Sequence, residues 1–172
     1  MGTLLALDLG TAVGWAVADT LRQPGGQFRC GTAQLPAYGL SAGGYFASYA
    51  DWLADMITTY QPDEVAVEQT LATVEDRGQH ATESLLGLRA LTAVVCYRRS
   101  MPLTWHAVST VRKAVCGSGR AKKDEVNVEA IKRGARPDSH NAADAAAVWF
   151  YRAAVLVKKA NSRPAQLSGN SG

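Results

Sequence analysis

Leu4-Leu5-Ala6-Leu7-Asp8-Leu9-Gly10-Thr11-Ala12-Val13-Gly14-Trp15-Ala16-Val17 is the stretch on which the fold turns. It opens with a short apolar run ending in a carboxylate, and Val13 to Val17 is a second such run. Gly10 to Ala12 between them reads as a tight turn, so the two runs are predicted to pair as antiparallel strands. Gln27 to Leu35, after the turn-forming Pro24-Gly25-Gly26, reads as a third strand.

Working outward, the hydrophobic period changes. Tyr45, Tyr49, Trp52, Leu53, Met56, Ile57 and Tyr60 recur at helical spacing, and Pro62 closes that helix. Glu64-Val65-Ala66-Val67-Glu68 is a short buried strand, again ending in a carboxylate. A polar stretch from Thr73 to Gln79 leads into a second long helix, about His80 to Arg98. Pro102 opens a strand, Leu103 to His106; a short helix from Thr110 to Val115 breaks at Gly117-Ser118-Gly119. Lys123 to Arg133 and His140 to Val157 read as helices. The order predicts an α/β fold, a mixed five-stranded sheet with an antiparallel start, a parallel continuation and flanking helices.

With 172 residues and 47% hydrophobic content, the chain suits one globular domain. Residues 1–158 are expected to form it, and 159–172, rich in Ser, Gly and Asn, a flexible basic tail. No apolar run approaches the roughly 20 residues of a membrane span, and the N-terminus lacks a secretory signal's basic start. Cys30, Cys96 and Cys116 form no CxxC pair, which argues against a zinc ribbon or disulfide framework and predicts a reducing cytoplasm.

The net charge of +3 hides an asymmetry: residues 1–97 hold 4 basic and 10 acidic side chains, and residues 98–136 hold 10 basic and 3 acidic. A basic block beside an acidic body suits a polyanion such as nucleic acid, and equally a solvated face.

Three carboxylates are placed to converge. Asp8 and Glu68 end strands, and strand ends on one side of a parallel sheet form the crevice where ligands bind. Asp144, in the first turns of the last helix, would face them across that crevice. Such a cluster needs a cation, and oxygen donors favour Mg²⁺ or Mn²⁺. Two such ions activate a water and stabilise the leaving oxygen of a phosphodiester. Singly, each residue has a plainer reading: Asp8 as a turn cap, Glu68 paired with Arg89, Asp144 as a helix-face charge.

Asp8-Leu9-Gly10-Thr11-Ala12-Val13-Gly14-Trp15-Ala16 resembles the opening of the RuvC-type Holliday junction resolvases, as does Val67-Glu68-Gln69 at the second acidic position. Gly87-Leu88-Arg89-Ala90 resembles that family's dimer helix. Val111 to Val126 resembles its basic segment, and Ala142-Ala143-Asp144-Ala145 its closing acidic motif. The resemblance spans about Leu4 to Val157. It implies a ribonuclease H-like fold, a homodimer, a bacterial cell (the gene being the host's or a virus's) and Mg²⁺- or Mn²⁺-dependent nicking of four-way and other branched DNA, in recombination, repair or replication. By the motif, Asp8, Glu68 and Asp144 are metal ligands, two ions per site, Lys123 lies by the scissile phosphate and Arg112 contacts a phosphate. Lys113, Arg120 and Lys122 complete the basic DNA-binding segment.

Two positions depart from the family pattern. The fourth ligand position, three residues before the last Asp, holds Asn141, with His140 one residue earlier; both share a helix face with Asp144. Imidazole being the better donor, His140 is the expected ligand. Leu71 stands where the family often has an aromatic wedge, so it would either insert apolar surface at a junction without stacking or serve as an ordinary core leucine.

Pairing of two sites across a two-fold junction suits a dimer, and the helix from His80 to Arg98 has small residues (Gly87, Ala90, Ala93) for close approach, the competing reading being that this stripe packs into the core of its own chain. Competing functions are a nuclease acting on RNA or RNA–DNA hybrid, a sugar-kinase or actin-like ATPase fragment sharing Asp-Leu-Gly-Thr, and a non-catalytic DNA-binding remnant.

Overall fold

In the computed structural model, residues 2–21, 27–39, 41–69 and 78–162 are described. Strands β1 (Thr3–Asp8), β2 (Val13–Asp19), β3 (Arg29–Ala33), β4 (Glu64–Gln69) and β5 (Leu103–Ala107) form one sheet in the order β3-β2-β1-β4-β5. β1 pairs antiparallel with β2, and β2 with β3; β4 runs parallel to both β1 and β5. The helices are α1 (Ala42–Tyr60), α2 (Gln79–Arg98), α3 (Val108–Cys116), α4 (Lys123–Lys132) and α5 (His140–Asn161).

The two-residue period of the strands sorts their side chains between two cores. Leu5, Leu7, Val65 and Val67 point to one face and are buried with Tyr45, Tyr49 and Leu53 of α1 and Leu85 and Leu88 of α2. Leu4, Ala6 and Ala66 point to the other, where α3, α4 and α5 pack. Facing the alanine-rich side of α5, these small strand residues let the helix lie close to the sheet. Trp149 of α5 anchors it, the indole N–H donating to the carbonyls of Leu4 (3.1 Å) and Ala18 (3.3 Å).

Gly14 fixes the start of α5. A Cβ at that position would fall inside the carbonyl group of Asn141, so only glycine lets β2 touch the helix backbone. Ser139 caps the helix by accepting from the Ala142 N–H (3.0 Å), and the Asn141 amide donates to the Ala12 carbonyl (3.0 Å).

The predicted order of elements holds, with shifted ends. β3 is shorter than Gln27 to Leu35, because only Arg29–Ala33 pairs with β2. α5 continues to Asn161, so the expected tail start at 159 is corrected: Lys159, Ala160 and Asn161 are helical, and residues 163–172 lie outside the described part. Gly87 follows the competing reading. Its missing Cβ accommodates the Phe46 ring of α1 inside the chain, so it serves α1–α2 packing rather than an outer stripe. Ala90 and Ala93 are exposed, as are Leu86, Val94 and Tyr97 of the same helix, at 56%, 44% and 85% for the last three. Leu71 and most of the polar 73–79 stretch fall outside the described residues. Among the described residues, no helix is long and apolar enough to cross a membrane.

Candidate metal centre

Parallel pairing sets the first two carboxylates side by side. Leu7 of β1 is level with Val67 of β4, so Asp8 and Glu68, one residue further on, end adjacent strands. By the strand alternation both point to the α5 face, with Ala6 and Ala66. Asp144, four residues beyond the first residue of α5, completes the group. Each of the three offers an oxygen, and these atoms lie within 4.8 Å of one another. All three residues are buried, at 7%, 6% and 4% exposure.

Burial and mutual repulsion govern their charge. Glu68 is pushed up to about 9, first by loss of solvent and then by the charges of Asp8 and Asp144. Burial also raises Asp144, against the opposing pull of Arg112, Lys123 and His140. Glu64, four residues before Glu68 on the same face, behaves oppositely. Burial would raise it as well, but hydrogen bonds from Arg152 (2.7 and 3.0 Å) and Thr104 (2.6 Å) outweigh that and hold it low. Glu64 has its cation within the protein, whereas the three-carboxylate group is short of positive charge. That deficit, with an all-oxygen donor set, fits a hard divalent ion.

The cluster lines a cavity of about 220 Å³ together with Arg112, Lys123 and Asn141. Lys123 reaches it from the first turn of α4. The Arg112 Nη1 donates to the Ala121 carbonyl (2.8 Å), and Nη2 stands 3.7 Å from an Asp144 oxygen. Among the described residues, Arg112 Nε is buried without a hydrogen-bond partner. The guanidinium is thus a largely buried counter-charge to Asp144, inside the cavity rather than on the surface.

The remaining predicted residues separate. Asn141 lines the cavity; His140 does not, being half-exposed with Nε2 3.6 Å from an Asp124 oxygen. The preference for His140 as fourth ligand is therefore not supported by its position: it shares a helix face with Asp144, but its ring is directed to Asp124 rather than into the cavity. Lys113, Arg120 and Lys122 are exposed outside the cavity. Arg89 lies over the Trp105 ring (5.1 Å), which removes it as the partner imagined for Glu68. Sequence reasoning missed the Glu64–Arg152–Thr104 network. Its available signal was the pair of glutamates four apart on one strand, which must share a face.

Comparison with known proteins agrees with this geometry. The model of the family "Crossover junction endodeoxyribonuclease RuvC" matches residues 45–151. The relative of that name from Rhizobium rhizogenes is 30% identical over 148 residues, 84% of this chain and 85% of the relative. The one from Halorhodospira halophila is 32% identical over 151 residues, 86% and 87% respectively. Among solved structures, Thermus thermophilus RuvC superposes with a TM-score of 0.73 at 18% identity, covering 91% of this chain and 96% of that one. The same protein in complex with a Holliday junction substrate gives 0.68. The family-model match and the relatives of 30% and 32% identity, covered over more than four fifths of their length, make the chain a member of the RuvC family of crossover junction endodeoxyribonucleases.

Proposed function

We propose that this chain nicks four-way DNA junctions and related branched DNA, in recombination, repair or the clearing of branched replication intermediates, using Mg²⁺ or Mn²⁺ held by Asp8, Glu68 and Asp144. The observation that carries it is the convergence of three buried carboxylates within 4.8 Å at the end of two parallel strands. A pair of bound divalent ions would supply an activated water and a counter-charge for the departing 3′ oxygen.

The protein's own groups do the rest. The three carboxylates bring negative charge that only a cation relieves, and Asn141 offers a neutral amide oxygen beside them. A strand phosphate entering the cavity meets Lys123 and Arg112, which offset charge building on its non-bridging oxygens. Water adds to phosphorus as the bond to the 3′ oxygen breaks, leaving 3′-hydroxyl and 5′-phosphate ends. Lys113, Arg120 and Lys122, on the surface of the same basic segment, would hold the flanking duplex through its phosphates.

Matched nicks on a two-fold junction require two such sites, and the outward apolar face of α2 (Leu86, Val94, Tyr97) supports a homodimer through that helix. The test is a Mg²⁺ and Mn²⁺ titration of cleavage on a mobile four-way junction, a linear duplex and an RNA–DNA hybrid, with Asp8→Asn as control. Junction-selective nicking, abolished in Asp8→Asn while junction binding persists, is expected. An active Asp8→Asn protein, or a hybrid cut as fast as the junction, would overturn the reading.

A further inference from the structure

The carboxylate cavity does not end at its own wall. A second cavity of about 430 Å³ adjoins it, lined by Tyr38, Gly39, Gly78, Gln79, His80 and Ser84. Thr11 and Ala81 line both, so the two form one cleft from the metal-binding end of the sheet to an aromatic annex.

The annex differs chemically from the pocket it extends. Among the described residues no lysine or arginine lines it, and its walls present two rings. Tyr38 is held rigidly: its ring meets Tyr45 and Phe46 edge-on (5.5 and 5.7 Å), and its hydroxyl donates to Glu83 (3.2 Å). His80 stands with its ring 6.0 Å from that of Tyr38 and its side chain 84% exposed. Its glycines carry no side chain into it: among the described residues, a Cβ at Gly39 or Gly78 would meet nothing within 4 Å. A braced ring loses little freedom on binding a flat partner.

We propose that this annex is a nucleobase subsite: the base beside the cut phosphate leaves the stack and lies against Tyr38 and His80. The proposal rests on the nuclease reading and deepens it. A phosphate drawn to Lys123 and Arg112 carries a nucleoside on each side. The adjoining cavity presents two rings against which one base can lie, and base–aromatic stacking needs no particular base edge. The annex then sets how readily a strand can be distorted into the site, which favours the loosely stacked nucleotides of a branch point over a closed duplex.

The experiment is a cycle between base and ring. Junctions carrying an abasic site at each position flanking the mapped cut are compared with the intact junction, using wild-type protein, Tyr38→Ala and His80→Ala. At one flanking position, base removal is expected to lower kcat/KM about ten-fold for the wild type, as is Tyr38→Ala on intact DNA. The two changes together should cost no more than either alone. Tyr38→Phe keeps the ring and should cut normally. His80→Ala, at an exposed position that does not threaten folding, should repeat the pattern more weakly, and His80→Phe should restore it. Independent, multiplying effects at every position, or wild-type rates for both alanine variants, would overturn the subsite. A wild-type protein that cuts no junction would end the nuclease reading itself, a separate and recognisable result.

Discussion

Glu68→Gln should make the metal-free protein more stable, and the gain should depend on pH. The carboxyl is pushed from an ordinary value of 4.5 up to about 9 by burial and by its acidic neighbours. Below pH 4.5, folded and unfolded chains both carry this proton and Glu68 contributes nothing to the difference. Between 4.5 and 9 the unfolded chain gives the proton up freely while the folded one retains it. The folded state then binds more protons, so stability falls as pH rises, and above 9 the loss is complete. At pH 7.5 three pH units separate the solution from the unfolded value. At about 1.4 kcal/mol for each, the burden is on the order of 4 kcal/mol. Part of it is shared with Asp8, which shares a hydrogen bond with Glu68. For a domain this size, with roughly 2–4 °C per kcal/mol, the variant should melt about 10 °C higher at pH 7.5. The two proteins should converge near pH 4.5. Mn²⁺ should raise the Tm of the wild type far more than that of the variant, because the ion binds only the folded carboxylate cluster. The assay is thermal denaturation across pH 4.5–8.5, in chelator and in Mn²⁺. A variant no more stable than wild type at pH 7.5 in chelator, or a gap that ignores pH, would refute the reasoning.

Three further outcomes follow from the geometry. Gly14→Ala places a methyl group where the Asn141 carbonyl sits, so α5 must move; a loss of about 3 kcal/mol by urea denaturation is expected, with weaker Mn²⁺ binding because Asp144 rides on that helix. Asn141→Ala should weaken Mn²⁺ binding by calorimetry about ten-fold, and His140→Ala less than about two-fold, an order set by which side chain lines the cavity; the reverse order would restore the imidazole as ligand. Leu86→Glu with Tyr97→Glu should convert a dimer to monomer in sedimentation without lowering Tm, both positions being exposed within one chain.

Much of the molecule was legible before folding because its signals are local. A carboxylate at the end of an apolar run names a strand end, so Asp8 and Glu68 were readable as partners once the strands were taken as parallel. The helical spacing of seven apolar residues from Tyr45 to Tyr60 likewise named α1 without reference to anything it touches. Element ends were harder: Arg29–Ala33 is all that pairs of a longer β-like run, and the last helix outlasts its apolar pattern.

What the amino-acid order determined alone was the set of strands and helices, the acidic residues at their ends and the basic block between them, because periodicity and chain punctuation act over a few residues. Tertiary structure decided which of two consecutive residues enters the cavity, that Arg112 turns inward toward Asp144, and that Gly87 serves a neighbouring helix rather than the outside. These depend on how a helix is rotated about its axis when it docks, which contacts more than a hundred residues away set, as Gly14 does for α5. One residue of rotation exchanges a cavity-lining side chain for a surface one, and no local pattern records it.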